Sequence, residues 1–367
     1  MSIQLKAWLT LWLVPGLGPK KIFNLCESLG GPDAVLAANA SELEALGLPY
    51  KWAEEIKQME PLAEAELAKA QSLGLSLIDW DDPFYPEDLR QLLDAPPVLY
   101  QAGEHDFNQG LHLAFVGSRK ASYPGKAYAM RLVERLAVLR PDTVIVSGLA
   151  LGIDGAAHEA ALACGLKTVA VLAGGLSDIY PNVHRALAHK VAAQGCLLTE
   201  FPCPSKPLKE HFPLRNRIIS GISKGVLVVE AGERSGASIT ANLALEQGRE
   251  VFALPGPPDS PFCRGSNRLI QQGRAKLVMD AEDLLEELVP GWREANQAKV
   301  NLASQSEKPP LGAQEAAIFD ALEMGPLHSD QLALKTGMPV YELLAHLTSM
   351  EMKGLIFNRA GNLVERA

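Results

Sequence analysis

Between residues 112 and 290, short apolar runs alternate with stretches whose apolar residues recur at helical spacing. The first run, 113–116, ends on Gly117-Ser118-Arg119 and gives way to a helical pattern over 124–139. A second run, 143–147, closes on Gly148; helix follows over 152–165, strand over 168–173, helix over 182–195 and strand over 196–200. Strand 225–230, helix 236–248 and strand 251–255 continue the alternation. Runs that are apolar throughout are expected of strands buried on both faces, and strands separated by helices imply right-handed crossovers. The pattern predicts an α/β domain with a doubly wound, mostly parallel sheet over 76–290.

The flanks read differently. Residues 1–75 carry short helical patterns broken by Gly/Pro turns, among them Pro15-Gly16-Leu17-Gly18-Pro19-Lys20-Lys21. Turns of this kind open a helix with free backbone N–H groups, an arrangement that suits a phosphate and resembles helix-hairpin-helix and sterile-alpha-motif-like modules. The strongly acidic surroundings favour a packing module instead. From 76 to 110 prolines break the text into a connector with one short strand at Val98-Leu99-Tyr100. A polar, proline-bearing linker spans 291–311. After it, helical patterns at 316–322, 329–335 and 340–353 and a hairpin around Gly361 predict a winged-helix-like unit over 312–367. Its third helix offers only His346 and Lys353 to a polyanion, so packing or protein contact competes with base reading there.

Charge sharpens the division. The net charge is −9, but residues 1–116 balance at −10, residues 117–275 at +7 and residues 276–367 at −6. A basic middle between acidic ends points to a polyanionic partner for the central domain. No run of 18 apolar residues exists and the apolar amino-terminal stretch lacks a small-residue cleavage site, so a cytoplasmic chain with no membrane segment is expected. Five scattered cysteines with no C-x-x-C fit a reducing compartment and indicate neither disulfides nor zinc.

In open α/β sheets ligands bind outside the carboxyl ends of the strands, which directs attention to three loops. Gly117-Ser118-Arg119 offers close backbone approach, a hydroxyl and a forked donor. Ser147-Gly148 begins a glycine-bearing loop before a helix N-terminus, and Arg234-Ser235-Gly236 with Ser238 and Thr240 does the same after the strand ending at Glu230. Each alone is compatible with helix capping; together they describe a phosphate-binding rim. The segment Lys209-Glu210-His211-Phe212-Pro213-Leu214-Arg215-Asn216-Arg217 sets an aromatic ring among cations. An unpaired base stacks on such a ring while Lys209, Arg215 and Arg217 follow the backbone. The competing possibility buries Phe212 and pairs the arginines with Glu200 and Glu230. No P-loop, G-x-G-x-x-G or G-x-S-x-G is present, and His184 and His189 lie off a common helical face, so no cofactor, metal or catalytic set is indicated. Asp154, His158 and Glu159 are expected to serve as helix-capping and surface residues.

The motifs GSR at 117–119, SGLALGID at 147–154, VLAGGLSDIYP at 171–181, TEFP at 199–202, FPLRNRIISGIS at 212–223, VVEAGERSGASITANLALEQGR at 228–249 and ALPG at 253–256 together resemble the DNA-processing protein A family, also called Smf. The resemblance covers the central domain in order. It implies an extended Rossmann-like domain that binds single-stranded DNA without sequence preference, forms a homodimer, loads the RecA recombinase and protects incoming strands in natural transformation. It carries DNA contacts onto Ser118, Arg119, Lys209, Phe212, Arg215 and Asn216. A related group of nucleotide-processing enzymes with a P-G-G-x-G-T-x-x-E loop provides the alternative, a phosphoribohydrolase-like activity. The corresponding stretch here, 230–236, lacks the Gly-Thr-x-x-Glu of that loop.

Overall fold

The computed structural model describes residues 4–233, 235–294, 312–323, 325–352, 355–359 and 362–366. Arg234, most of the expected linker, Lys353 and Gly361 lie outside the described residues. The chain divides into two compact units, 1–290 and 291–367.

The first unit opens with five helices, α1 (Leu5–Trp12), α2 (Pro19–Leu29), α3 (Pro32–Ala37), α4 (Ala40–Ala45) and α5 (Tyr50–Ser72). The last is not short: it runs 23 residues through Pro61. Their apolar faces share one core with Leu77, Val98, Tyr100 and Cys203 of the sheet region. Two hydrogen bonds pin the same join: Trp12 Nε1 donates to the Glu200 carbonyl (2.9 Å), and the Cys203 amide donates to Glu66.

The sheet has nine strands: β1 (Ser76–Asp79), β2 (Val98–Gly103), β3 (Leu111–Val116), β4 (Thr143–Ser147), β5 (Lys167–Val171), β6 (Cys196–Thr199), β7 (Gly225–Val228), β8 (Glu250–Ala253) and β9 (Lys276–Leu277). Their order is β1-β2-β6-β5-β4-β3-β7-β8-β9. The six central strands are parallel, as their apolar runs predict, and the two-residue β9, exposed and without an apolar run of its own, extends them in parallel beside β8. The connector contributes two strands rather than one, and both join the sheet antiparallel through β2 against β6. Around the sheet lie α6 (Glu87–Arg90), α7 (Tyr123–Leu139), α8 (Ile153–Ala163), α9 (Arg185–Gln194), α10 (His211–Gly221), α11 (Gly236–Glu246), α12 (Arg264–Gln271) and α13 (Ala281–Leu288). Val116, Val146, Val171 and Val228 from the strands pack with Ile218 and Ile219 of α10 in the central core.

The second unit holds α14 (Ala313–Ala321), α15 (Ser329–Thr336) and α16 (Val340–Met352) with a three-stranded antiparallel sheet of β10 (Leu327–His328), β11 (Ile356–Arg359) and β12 (Leu363–Arg366). Ile318, Leu332, Leu343, Leu347, Met350 and Val364 form its separate core. Three helices with a small wing match the sequence expectation. Among the described residues, no helix is long and apolar enough to cross a membrane.

Candidate nucleic-acid interface

From β3 the chain moves outward through β4, β5 and β6, then returns to place β7 on the other flank of β3. The loops that leave β3 and β7 therefore part, opening a crevice at the carboxyl edge of the sheet. A cleft of about 500 Å³ occupies it, lined by Gly117, Ser118, Arg119, Phe212, Arg215 and Asn216, with Ser235, Gly236 and Thr240 from the start of α11.

The β3 loop is fixed by its backbone. The Ser118 amide donates to the Glu230 carbonyl (2.7 Å) and its carbonyl accepts from the Ile153 amide (3.4 Å). Gly117 has no room for a side chain, since a Cβ there would lie 2.3 Å from Ile153 Cγ1. Gly117→Ala should therefore destabilise the fold by about 1–3 kcal/mol through overpacking, measured by the denaturant midpoint. A wild-type midpoint would contradict the close approach. Arg119, next in the chain, is exposed, and its guanidinium carbon lies 4.8 Å from the Phe212 ring centroid.

Phe212 sits in the first turn of α10 ahead of Pro213, and it is half-buried rather than fully exposed. Arg215, one turn on, lies 5.9 Å from the same ring. Its guanidinium is buried and donates to the carbonyls of Gly148 (2.8 Å) and Val171. Across from it, Asp154 accepts from the amides of Gly148 (3.1 Å) and Ala150 (3.3 Å). Burial lowers Arg215 to about 10, with Asp154 opposing; burial raises Asp154, with Arg215 pulling it back. Arg215 is thus a buried cation under the ring, whereas Arg119 is an exposed fork at the rim.

Other candidates fall elsewhere. Ser147 is fully buried, and its hydroxyl donates to the Phe115 carbonyl (2.6 Å), so it braces β4 against β3. Gly148 lies behind the cleft, where a Cβ would come 2.5 Å from Arg215. Arg217 faces away and pairs with Glu200 in the interior. Among the described residues no arginine pairs with Glu230; its carboxylate accepts from the Ser122 amide and hydroxyl at the start of α7. Ser235 caps α11 by accepting from the Ser238 amide, and Thr240 donates to the Gly236 carbonyl. Lys209 is exposed just before α10 and does not line the cleft. Asp154 and His158, expected at the surface, are buried; His158 Nδ1 meets Thr168 Oγ1 at 2.7 Å.

The structure also adds residues. Phe262, 38% exposed, lines the same cleft, as does Lys120. Tyr180 sets its ring edge against Phe212, with centroids 6.2 Å apart. Both aromatics stand in proline-bearing loops, where periodicity carries no signal. Among the described residues, no group of three His, Cys, Asp or Glu is placed to hold a metal.

The profile of the family described as DNA recombination-mediator protein A matches residues 76–289. The chain belongs to this family. The profile of the DprA winged helix domain matches residues 303–362. The chain is 41% identical to Protein Smf of Escherichia coli over 304 residues, which cover 82% of this chain and 80% of that one. It is 44% identical to the DNA processing protein DprA of Bacillus subtilis over 235 residues, 64% of this chain and 78% of that one. Among solved structures, DNA processing protein A from Streptococcus pneumoniae superposes with a TM-score of 0.69 at 35% identity, covering 78% of this chain and 99% of that one. DNA processing protein A from Helicobacter pylori, whose structure is described by its single-stranded DNA binding mode, superposes with a TM-score of 0.53 at 29% identity, covering 59% of this chain and 95% of that one. The matched family region spans the whole β3–β7 cleft of this DNA recombination-mediator protein A member.

Proposed function

We propose that the β3–β7 cleft binds an unpaired DNA strand without regard to sequence, and that the protein acts as a non-enzymatic mediator of recombination. The observation that carries this reading is the Phe212 ring, half-buried at the cleft with two guanidinium groups within 6 Å of it. A base stacks on an aromatic face whatever its identity, while phosphates settle at Arg119, Ser118 and the N-terminus of α11. The Helicobacter relative, described by its single-stranded DNA binding mode, supports the same ligand class. As a cytoplasmic homodimer holding incoming strands in natural transformation, the protein would hand them to RecA. The oligomer and the recombinase contact rest on the family resemblance alone.

A nucleotide-hydrolase reading needs a free acid or base in the cleft. The carboxylate that lines it, Asp154, is already committed to two amides and faces Arg215. No turnover of nucleoside monophosphates is expected; measurable release of base would favour the enzyme.

Arg119→Ala should weaken binding of all sequences alike and lower the slope of log K against log salt by roughly one unit. Lys209→Ala should act in the same direction, since an exposed lysine beside the cleft contributes charge without a fixed contact. Salt titration by fluorescence anisotropy reads both, and slopes equal to wild type would remove these contacts.

A further inference from the structure

Phe212 and Phe262 line the β3–β7 cleft from opposite flanks. On one side Phe212, with Arg215, also borders Gly148 and Leu172, the residues just past β4 and β5. On the other, Phe262 stands in the loop between β8 and α12, and the Gly265 amide at the start of α12 donates to the carbonyl of Ala231 (2.7 Å), just beyond β7. In the order β5-β4-β3-β7-β8 these anchors fall to either side of the crevice. Three strand spacings separate β4 from β8, about 14 Å, enough to admit a flat group between side chains that enter from both sides.

The position of Phe262 is set by its own loop. Pro255, Pro257, Pro258 and Pro261 restrict the backbone there. Asn267 closes the loop, accepting from the Gly256 amide (3.0 Å) and donating to the Gly256 carbonyl (2.9 Å). Cys263, the next residue, is buried, and its sulfur lies so close to Gly256 that a Cβ there would clash. A ring presented by so constrained a loop loses little freedom when it binds. It nevertheless stays 38% exposed, and Ile239 on the same flank stays 43% exposed. Among the described residues, those that line the cleft from α11 and this loop carry no charge, whereas the opposite flank brings Arg119, Lys120 and Arg215. An apolar wall facing a cationic and aromatic one suits a flat base tied to a phosphate.

We propose that Phe262 is the second half of a clamp, in which one nucleobase of the bound strand enters between Phe212 and Phe262 while its phosphate stays with Arg119 and Lys120. The inference rests on the strand-binding reading of this cleft and adds the state of the base that is bound. A base covered on both faces has lost both of its stacking neighbours, so the strand opens its own stack at that nucleotide. A duplex can offer such a base only by flipping it out, at the cost of its pairing and stacking. Because every base has two flat faces, the clamp selects an unstacked nucleotide without reading which one it is.

The test compares a short DNA strand in which a single thymine stands among abasic sites with a wholly abasic strand of equal length, by fluorescence anisotropy with the full chain. Phe212→Ala and Phe262→Ala should each weaken binding of the one-thymine strand by about 5- to 150-fold and leave the abasic strand within about twofold of wild type. Phe262→Tyr keeps the flat face and should restore the loss. Two independent platforms would behave otherwise, because a lone thymine could use either ring and each alanine variant would then stay within about twofold of wild type. That result overturns the clamp. A second measurement uses the wild-type chain, so it does not depend on how the variants fold. With 5-iodouracil in place of the thymine, photo-links mapped by mass spectrometry should fall both on the segment holding Phe212 and on the segment holding Phe262. Links to the Phe212 segment alone overturn the clamp and leave strand binding intact. A wild-type chain that binds the one-thymine strand no better than the abasic one, with links at neither ring, overturns the strand-binding reading itself.

Discussion

Arg217→Ala is expected to cost about 3–5 kcal/mol of folding stability, because it leaves the Glu200 carboxylate buried without its counter-charge. In sequence Arg217 stands with Lys209 and Arg215 as one of three cations around an aromatic. In the fold it is 6% exposed, paired with Glu200 and within 3.5 Å of Asp94. Loss of strand binding in this variant should therefore follow loss of the native state. A chemical denaturation curve separates the two, and an unchanged midpoint with weakened binding would contradict the structural role of the Arg217–Glu200 pair. The pair also sets a pH dependence. Burial raises the Glu200 carboxyl from its ordinary 4.5 to about 7, with Arg217 opposing. A carboxyl raised in the native state binds more protons folded than unfolded between those values. Its contribution is complete below pH 4.5 and is lost as pH rises through about 7. Glu200→Gln should remove that slope while lowering stability overall, because buried Arg217 then keeps only the exposed Asp94 as a counter-charge.

Phe212→Ala should weaken binding of a short single strand by about 1–3 kcal/mol, roughly 5- to 150-fold, if one base stacks on the ring. The side chain is half-buried at the first turn of α10, so the cost to folding should be smaller than for a core aromatic. Phe212→Tyr or Phe212→Trp should restore most of the affinity, since the face is what matters. An affinity change below about twofold with an ordinary stability loss would make Phe212 a packing residue.

The fold was legible because parallel strands covered on both faces must be apolar throughout. Every residue of β3 and β4 is buried, and their runs stand out from the helical text on either side. The antiparallel β1 was hidden because only four residues pair, between the Gly74 turn that ends α5 and a proline-bearing loop. The candidate site was legible at the level of loops and not of roles. Arg119, Arg215 and Arg217 are chemically identical in sequence, and only the tertiary fold makes the first a rim contact, the second a buried cation under the ring and the third half of an interior ion pair. Ser147 illustrates the same limit: a serine at a strand end can face a ligand or the neighbouring strand, and here it bonds to Phe115. Phe262 went unnoticed because a single aromatic in a loop has no period to betray its direction.

The most direct test of the central claim is a hydrogen-exchange footprint of the full chain with and without a short single-stranded oligonucleotide. The account predicts slowed exchange in 117–120, 211–219 and 235–240, none in the winged-helix unit, and no such footprint from a blunt duplex of equal length. Protection confined to residues 329–352, or an identical footprint from the duplex, would contradict it.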